Sequence, residues 1–242
     1  MYAIETMGLT KRYGNVTAVD NLSLQIKEGE LFALLGVNGA GKTTTLRMLT
    51  CLTLPTSGDA IVGGYSVVKS AWEVKRRIAV SPQDTAIAPN LTVRENLELL
   101  CDIYGFSKGV KERKIEEMAE RFHFEGLLSK KAGTLSGGWQ RRLSVSMGLI
   151  SEPAVLFLDE PTLGLDVLAR SELWECIRAL KGRVTVVLTT HYMEEAEALS
   201  DRIGIMQAGR LLTVGTAGAL MERAGVNRFE DAFIAVVKGE CV

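Results

Sequence analysis

The sequence has no excess of charge of either sign. Its 242 residues hold 28 Lys and Arg against 29 Asp and Glu, a formal net charge of −1 at pH 7. Nonspecific binding to nucleic acid or to an anionic membrane surface relies on a basic field. The composition therefore argues against both, and we expect no nucleic-acid partner.

Long apolar runs are missing as well. Segments such as 31–35 and 154–158 fall far short of the roughly 18 residues that a membrane-spanning helix needs. At the N-terminus, Glu5 and the pair Lys11-Arg12 interrupt the apolar core that a secretory signal would have. We therefore expect a chain that does not cross the membrane, carries no export signal and stays in the cytoplasm.

Cysteine is sparse, and its four copies, Cys51, Cys101, Cys176 and Cys241, lie far apart with no C-x-x-C pair. This spacing predicts reduced thiols rather than a disulfide framework or a zinc site. Hydrophobic residues (47%) and charged residues (24%) are close to globular averages, which argues against disorder.

The hydrophobic pattern divides the chain into three blocks. Within residues 1–36, apolar and polar side chains first alternate, and the apolar segment 31–35 follows. This pattern predicts a β layer leading into a buried strand. Residues 85–150 have helical spacing, with a capping box at Thr92–Glu95. From residue 154 onward strands and helices alternate, which predicts βαβ units and a parallel sheet. The sequence thus indicates one α/β domain over 1–242, with a core of 1–84 and 151–242 and a helical insertion of 85–150.

A glycine-rich segment follows the buried strand. Residues 36–43 match G-x-x-x-x-G-K-[ST] and precede a run that can be helical. Such a loop turns its backbone N–H groups toward phosphate oxygens, while Lys42 reaches the outer phosphates and the Thr43 hydroxyl can ligate Mg²⁺. We expect Lys42 to face solvent and to contribute little to the core. The predicted nucleotide contacts are Gly36, Val37, Asn38, Gly39, Ala40, Gly41, Lys42, Thr43 and Thr44.

Two carboxylates end a second apolar strand at 154–160. Hydrolysis on a phosphate cradle needs one acid that helps to hold the metal and another group that positions or deprotonates water. Adjacent residues on an extended strand point to opposite faces. We therefore assign Asp159 to the metal and Glu160 to the water.

A third segment, 135–142, contains Ser-Gly-Gly before a predicted helix. Ser136 is a natural N-cap, so Ser136, Gly137 and Gly138 can form a second anion site, although the segment by itself is also an ordinary turn and cap. Arg141 and Arg142 are interpreted as a solvated helix face rather than as phosphate contacts.

Together these three segments, in their order along the chain, resemble the motifs of ATP-binding cassette (ABC) ATPases, and the resemblance covers nearly the whole chain. It implies that Tyr13 stacks on adenine and that Gln83 is a metal ligand linking the metal to the helical insertion. It further implies that Asp166, in the loop 163–166, lies at the seam of a dimer, and that His191 acts with Glu160 and Lys42 in catalysis. In isolation Tyr13 and Gln83 fit an ordinary turn and strand end, Asp166 a helix N-cap, and His191 a satisfied polar group.

The resemblance implies a RecA-like P-loop core with an antiparallel β layer and an inserted helical subdomain. Two such chains, identical or different, would close head to tail over two ATP molecules with Mg²⁺, one supplying the phosphate loop and acids, the other Ser136–Gly138 and Asp166. The pair would drive a separate integral membrane permease, most like those of drug and lipid exporters, at the cytoplasmic face of the membrane. The permease is expected to dock on the insertion, with Leu91, Leu97, Tyr104 and Phe106 as candidate contacts.

Two other functions stay open at this point. A non-transport ABC ATPase of DNA repair or translation shares the same motifs, but usually has tandem cassettes or long coiled-coil insertions. A P-loop kinase or GTPase shares only the first motif. One position departs from the common family form, because Trp139 stands where glutamine usually follows Ser-Gly-Gly, with Gln140 after it. We expect this departure to affect rate more than nucleotide binding.

Overall fold

The computed structural model describes residues 1–240, which form two β-sheets and a set of helices. The antiparallel sheet has the strand order β2-β1-β4-β5, and the larger sheet has the order β10-β9-β3-β8-β7-β6. The strands are β1 Tyr2–Tyr13, β2 Val16–Lys27, β3 Leu31–Leu35, β4 Ser57–Val62, β5 Tyr65–Ser66, β6 Ile78–Ser81, β7 Val155–Asp159, β8 Thr185–Thr190, β9 Arg202–Gln207 and β10 Arg210–Gly215.

The α-helices are α1 Lys42–Leu49, α2 Ala71–Arg77, α3 Val93–Ile103, α4 Lys108–Phe122, α5 Gly137–Leu149, α6 Val167–Arg178, α7 Met193–Leu199, α8 Ala217–Ala224 and α9 Phe229–Lys238. A short 3₁₀ turn spans Ala132–Thr134. At the start of α3, Thr92 Oγ1 accepts from the Glu95 N–H while the Glu95 carboxylate accepts from the Thr92 N–H, so the predicted capping box is confirmed. Within residues 1–240, no helix has the length and apolar character needed to cross a bilayer.

The larger sheet brings the ends of three central strands to one edge. Strands β3, β8 and β7 are adjacent and parallel, with Leu31 opposite Val186 and Val155 opposite Thr185. Every residue of these three strands is buried, as expected for parallel strands covered on both faces. Because parallel strands end at the same edge, the segments that follow them must meet there.

Alternate residues of β3 enter two different cores. Phe32 and Leu34 pack with the antiparallel sheet and α1, whereas Leu31, Ala33 and Leu35 belong to the core shared with the helices on the other face. The larger sheet is therefore the middle layer of the domain. This arrangement confirms the expected α/β core with an antiparallel β layer.

Two features were not predicted: the hairpin of β4 and β5 completes the antiparallel sheet, and α8 precedes the C-terminal helix. The turn at Ala208-Gly209 between the apolar segments 203–206 and 211–214 predicts a hairpin, and this is confirmed, because β10 pairs antiparallel with β9. Of the cysteines, Cys51, Cys101 and Cys176 are free thiols, whereas Cys241 lies outside the described residues.

Candidate functional site

The phosphate loop turns between β3 and α1 at positions where a side chain would not fit. A Cβ on Gly36 would lie 2.4 Å from the Met206 carbonyl oxygen, and one on Gly41 would lie 2.5 Å from the Ala18 carbonyl oxygen. Gly41 also has a φ of 103°, a region that favours glycine. Gly41 caps α1 without a side-chain hydrogen bond, so the first amides of the helix remain available to an anion.

Lys42 does not face solvent, so that expectation is wrong. The residue is 4% exposed, and its Nζ donates to the carbonyl oxygens of Gly36 at 2.7 Å and Val37 at 3.2 Å. The ammonium also lies 3.8 Å from Glu160 Oε1. Burial lowers the pKa of Lys42 from its ordinary value of 10.5, and the charges of Glu160 and Asp159 oppose that shift. The lysine side chain is thus part of the loop and lies beside the acids.

Asp159 faces the start of α1. Its Oδ1 accepts hydrogen bonds from the Thr43 hydroxyl at 3.3 Å and from the Thr189 hydroxyl on the adjacent strand, and the residue is 7% exposed. Asp159 and Thr43 therefore place two oxygen atoms together at the C-terminal edge of the sheet.

Glu160 leaves the strand in a different direction. Its φ of 47° lies in the left-handed region, so the chain turns sharply after Asp159. The Glu160 N–H still donates to the Thr189 carbonyl oxygen at 3.1 Å, which anchors the turn to β8. Since a non-glycine residue is strained in this conformation, the turn is held by its surroundings and presents the carboxylate beside Lys42.

His191 directly follows β8 and reaches the same acid. Its Nδ1 lies 3.2 Å from Glu160 Oε1, close enough for an ion pair when the ring is protonated. The direction is not that of a hydrogen bond, however, so Nδ1 is buried without a hydrogen-bond partner. The imidazole thus stands against Glu160 without being fixed by it.

The phosphate loop, Glu160 and His191 line a cleft of about 610 Å³, whereas Asp159 is not among its lining residues. Tyr13 borders it at the end of β1 with its side chain 48% exposed. Gln83, just beyond β6, borders it as well. The lining residues are Tyr13, Ala18, Asn38, Gly39, Ala40, Gly41, Lys42, Thr43, Thr44, Gln83, Glu160, Leu163 and His191.

The Ser-Gly-Gly segment and Asp166 lie elsewhere and are not among the lining residues. Ser136 is at the N-cap position of α5 as predicted, but its side chain makes no capping hydrogen bond. A Cβ on Gly138 would lie 2.7 Å from the Cβ of Ala169, in the first turn of α6. Asp166 caps that helix by accepting from the Ala169 N–H at 2.9 Å. The segment 136–138 therefore packs beside the loop 163–166.

The interpretation of Arg141 and Arg142 as a solvated helix face is wrong, since each residue is 4% exposed. Arg141 donates to the carbonyl oxygens of Pro82, at 2.6 Å, and Gln83, and thereby holds the segment that carries Gln83. Arg142 pairs with Glu172 on α6. Helix α5 is buried along nearly its whole length, so an arginine here needs a buried partner.

Sequence comparison relates the chain to drug-resistance proteins. A family profile described as "ABC transporter" matches residues 19–163. The "Daunorubicin resistance ATP-binding protein DrrA3" of Streptomyces coeruleorubidus is 42% identical, over 94% of this chain and 72% of its own length. The "Doxorubicin resistance ATP-binding protein DrrA" of Mycobacterium tuberculosis is 40% identical, over 97% of this chain and 70% of its own.

Solved structures agree over most of the chain. The "Structure of ATP binding subunit of ABC transporter" superposes with a TM-score of 0.85 at 27% identity, covering 97% of this chain and 99% of the other. A dimeric ATP-binding cassette in a post-hydrolysis state, bound to ADP and phosphate, superposes with a TM-score of 0.77 at 27% identity, covering 88% of this chain and 98% of its own.

Proposed function

This chain belongs to the ABC transporter family of ATP-binding proteins, and we propose that its cleft binds ATP with Mg²⁺ and that hydrolysis there drives a separate membrane permease. The observation that carries the proposal is the meeting of the phosphate loop, Glu160 and His191 at one edge of the sheet. Three segments far apart in the chain thereby supply phosphate contacts, an acid and an imidazole to one volume.

The donor set suits Mg²⁺. The Thr43 hydroxyl and the Asp159 carboxylate stand 3.3 Å apart, and the Gln83 side chain borders the same cleft. Oxygen donors of this kind are the ligands that Mg²⁺ prefers. When bound there, the ion would neutralise charge on the β- and γ-phosphates.

The residues around this site have separate tasks. Lys42, now bonded to two loop carbonyls, is placed to exchange them for phosphate oxygens. Glu160 orients or deprotonates the attacking water, and His191 lies against its carboxylate. Tyr13 offers an exposed ring for the adenine at the rim.

The site needs a second chain to be complete. Ser136–Gly138 and Asp166 do not line the cleft of their own chain, so they can act only on nucleotide held by another. The Ser136 side chain and the start of α5 are suited to an anion. We infer a head-to-tail dimer that closes on two ATP molecules, as the dimeric form of the related cassette supports.

The names of the related drug-resistance proteins support an export role for the permease and a position at the cytoplasmic face of the membrane. The permease is proposed to dock on the helical insertion at the C-terminal end of α3. Here Leu99, Ile103 and Tyr104 are exposed by 42%, 68% and 47%. Leu97 is fully buried and so is removed from the candidate contacts.

Glu160→Gln tests the proposed reaction. The amide keeps the shape of the side chain but cannot act as a base, so ATP hydrolysis should fall by about 10² to 10⁴-fold. With Mg²⁺ and ATP the variant should accumulate as a dimer of doubled mass in size-exclusion chromatography with light scattering. Glu222→Gln, at an exposed position on α8, is the control and should behave as the parent. A Glu160→Gln chain that hydrolyses ATP at the parental rate and stays monomeric would contradict the proposal.

A further inference from the structure

The indole of Trp139 packs inside its own chain. Its ring centroid lies 6.0 Å from that of Phe124, at an interplanar angle of 51°, and the side chain joins the core on the helical side of the sheet. Gln140, the residue after it, also turns inward and donates from Nε2 to the Leu135 carbonyl oxygen at 2.9 Å. Both side chains therefore make their contacts within their own chain.

Arg142 connects this indole to the next helix. Its guanidinium carbon lies 4.3 Å from the Trp139 ring, and its Nη2 forms an ion pair with Glu172 on α6. A planar guanidinium can stack on an aromatic face while its edge binds a carboxylate, which lysine cannot do as well. Arg142 is 4% exposed, whereas the Glu172 side chain is 58% exposed, so the stacking contact is shielded from solvent more than the ion pair is.

The same two helices carry both segments that face the second chain. Helix α5 begins at the Ser136–Gly138 segment, and α6 begins at the loop capped by Asp166. Their N-termini also touch, because a Cβ on Gly138 would come within 2.7 Å of the Ala169 Cβ. The Trp139, Arg142 and Glu172 contacts therefore join α5 to α6 directly behind the two segments.

We infer that Trp139, Arg142 and Glu172 form a clamp that fixes the start of α5 to α6, so that the segment 136–138 and the loop 163–166 meet the second chain as one rigid unit. Trp139 is thus a positioning residue rather than a nucleotide or partner contact. This inference deepens the proposed function and rests on it for the role of the second chain. At position 139, directly after Ser-Gly-Gly, an aromatic residue thus stands where the family usually has glutamine.

Hydrogen exchange on the nucleotide-free chain tests the clamp without any dimer. Trp139→Ala should speed backbone exchange in both 137–142 and 166–172, by about tenfold, while Trp139→Phe, which keeps a ring for Arg142, should stay near the parent. Trp72→Ala is the matched control, because Trp72 is 70% exposed on α2. Glu172→Gln removes only the ion pair with Arg142. Because the Glu172 side chain is 58% exposed, this variant should fold even if Trp139→Ala does not. Backbone exchange in the Glu172→Gln variant should also be faster in 137–142 and 166–172.

Dimerisation gives the second readout. In the Glu160→Gln background, Trp139→Ala and Glu172→Gln should each weaken the ATP-dependent dimer by about tenfold, while a fluorescent ATP analogue should bind the monomer with affinity unchanged within twofold. Faster exchange in 137–142 alone would overturn the inference, because the two helices would not be coupled. If Trp139→Phe weakens the dimer as much as Trp139→Ala does, the inference is overturned too, because the indole itself would then contact the second chain. If Glu160→Gln alone fails to dimerise, the dimer proposal fails, and the exchange data still decide whether the clamp exists.

Discussion

Replacing Glu195 with Gln is predicted to flatten the dependence of this protein's stability on pH. Glu195 has no exposed surface, and its Oε1 accepts from Thr162 Oγ1 at 2.8 Å and Trp174 Nε1 at 3.2 Å, while Oε2 has no partner. Burial raises the pKa of the carboxyl above its ordinary 4.5 and outweighs its hydrogen bonds and the charge of Arg170, which lower the pKa. The folded protein therefore holds this proton more tightly than the unfolded chain does.

The sign of the effect follows from this difference. Below pH 4.5 the carboxyl is protonated in both states, and its tighter proton binding supports the folded state in full. As the pH rises from 4.5 to the higher folded-state pKa, that support is lost. Within this window the free energy of unfolding falls by up to about 1.4 kcal/mol per pH unit for one such group. Gln does not titrate, and its amide keeps an acceptor for Thr162 and Trp174 while its N–H stands in for the O–H of the neutral acid.

Urea denaturation between pH 5 and 8, followed by far-UV circular dichroism, measures this difference directly. The urea midpoint of the parent should fall as the pH rises. The midpoint of Glu195→Gln should fall less, so the variant should be the more stable protein at high pH. Glu194→Gln is the matched control on the same helix, because its side chain is 84% exposed, and its profile should follow the parent. Parallel profiles for the parent and Glu195→Gln would refute the reasoning. So would a variant that loses most stability at high pH, because the carboxylate would then be ionised and paired with Arg170 or Arg141.

Three further predictions concern the site and its partners. Lys42→Ala should abolish most ATP affinity or turnover, and because the buried ammonium bonds two loop carbonyls, it should also destabilise the fold by roughly 1 to 3 kcal/mol, seen as a lower urea midpoint. A wild-type level of nucleotide binding and hydrolysis would contradict this. Gly138→Ala should lower the thermal midpoint and the ATPase rate, since its Cβ would lie 2.7 Å from that of Ala169, and adding Ala169→Gly should recover part of both losses. If the double variant recovers neither the thermal midpoint nor the ATPase rate, the contact with Ala169 is not the cause of the losses. Tyr104→Glu should leave the ATPase rate of the isolated chain near normal but prevent copurification with the permease, whereas Leu212→Glu, 40% exposed on β10, should do neither. A retained complex with Tyr104→Glu would move the docking surface away from this end of α3.

Local patterns were sufficient for much of the fold. The buried strands near 31–35 and 154–159 and the capping box at Thr92–Glu95 depend on neighbouring residues, so periodicity and cap chemistry predict them. The hairpin of β4 and β5 was missed because it lies at the edge of the antiparallel sheet, where its residues are only partly buried and leave a weak pattern. The turn at Ala208-Gly209 predicts the hairpin of β9 and β10, but only the folded chain shows that β9 lies parallel beside β3, which gives the larger sheet a mixed edge.

In the candidate site, too, some features follow from local sequence and others only from the tertiary structure. A phosphate loop is a contiguous segment, and its glycines, Lys42 and Thr43 serve one chemistry at fixed spacing, so the sequence by itself determined where nucleotide should bind. The burial of charged groups was decided only by the tertiary structure. Arg141 bonds a carbonyl 58 residues away, Arg142 pairs with an acid 30 residues away, and Glu195 accepts from a hydroxyl 33 residues away. A charge is solvated or buried according to what packs over it, and those partners come from strands and helices that only the folded chain brings together.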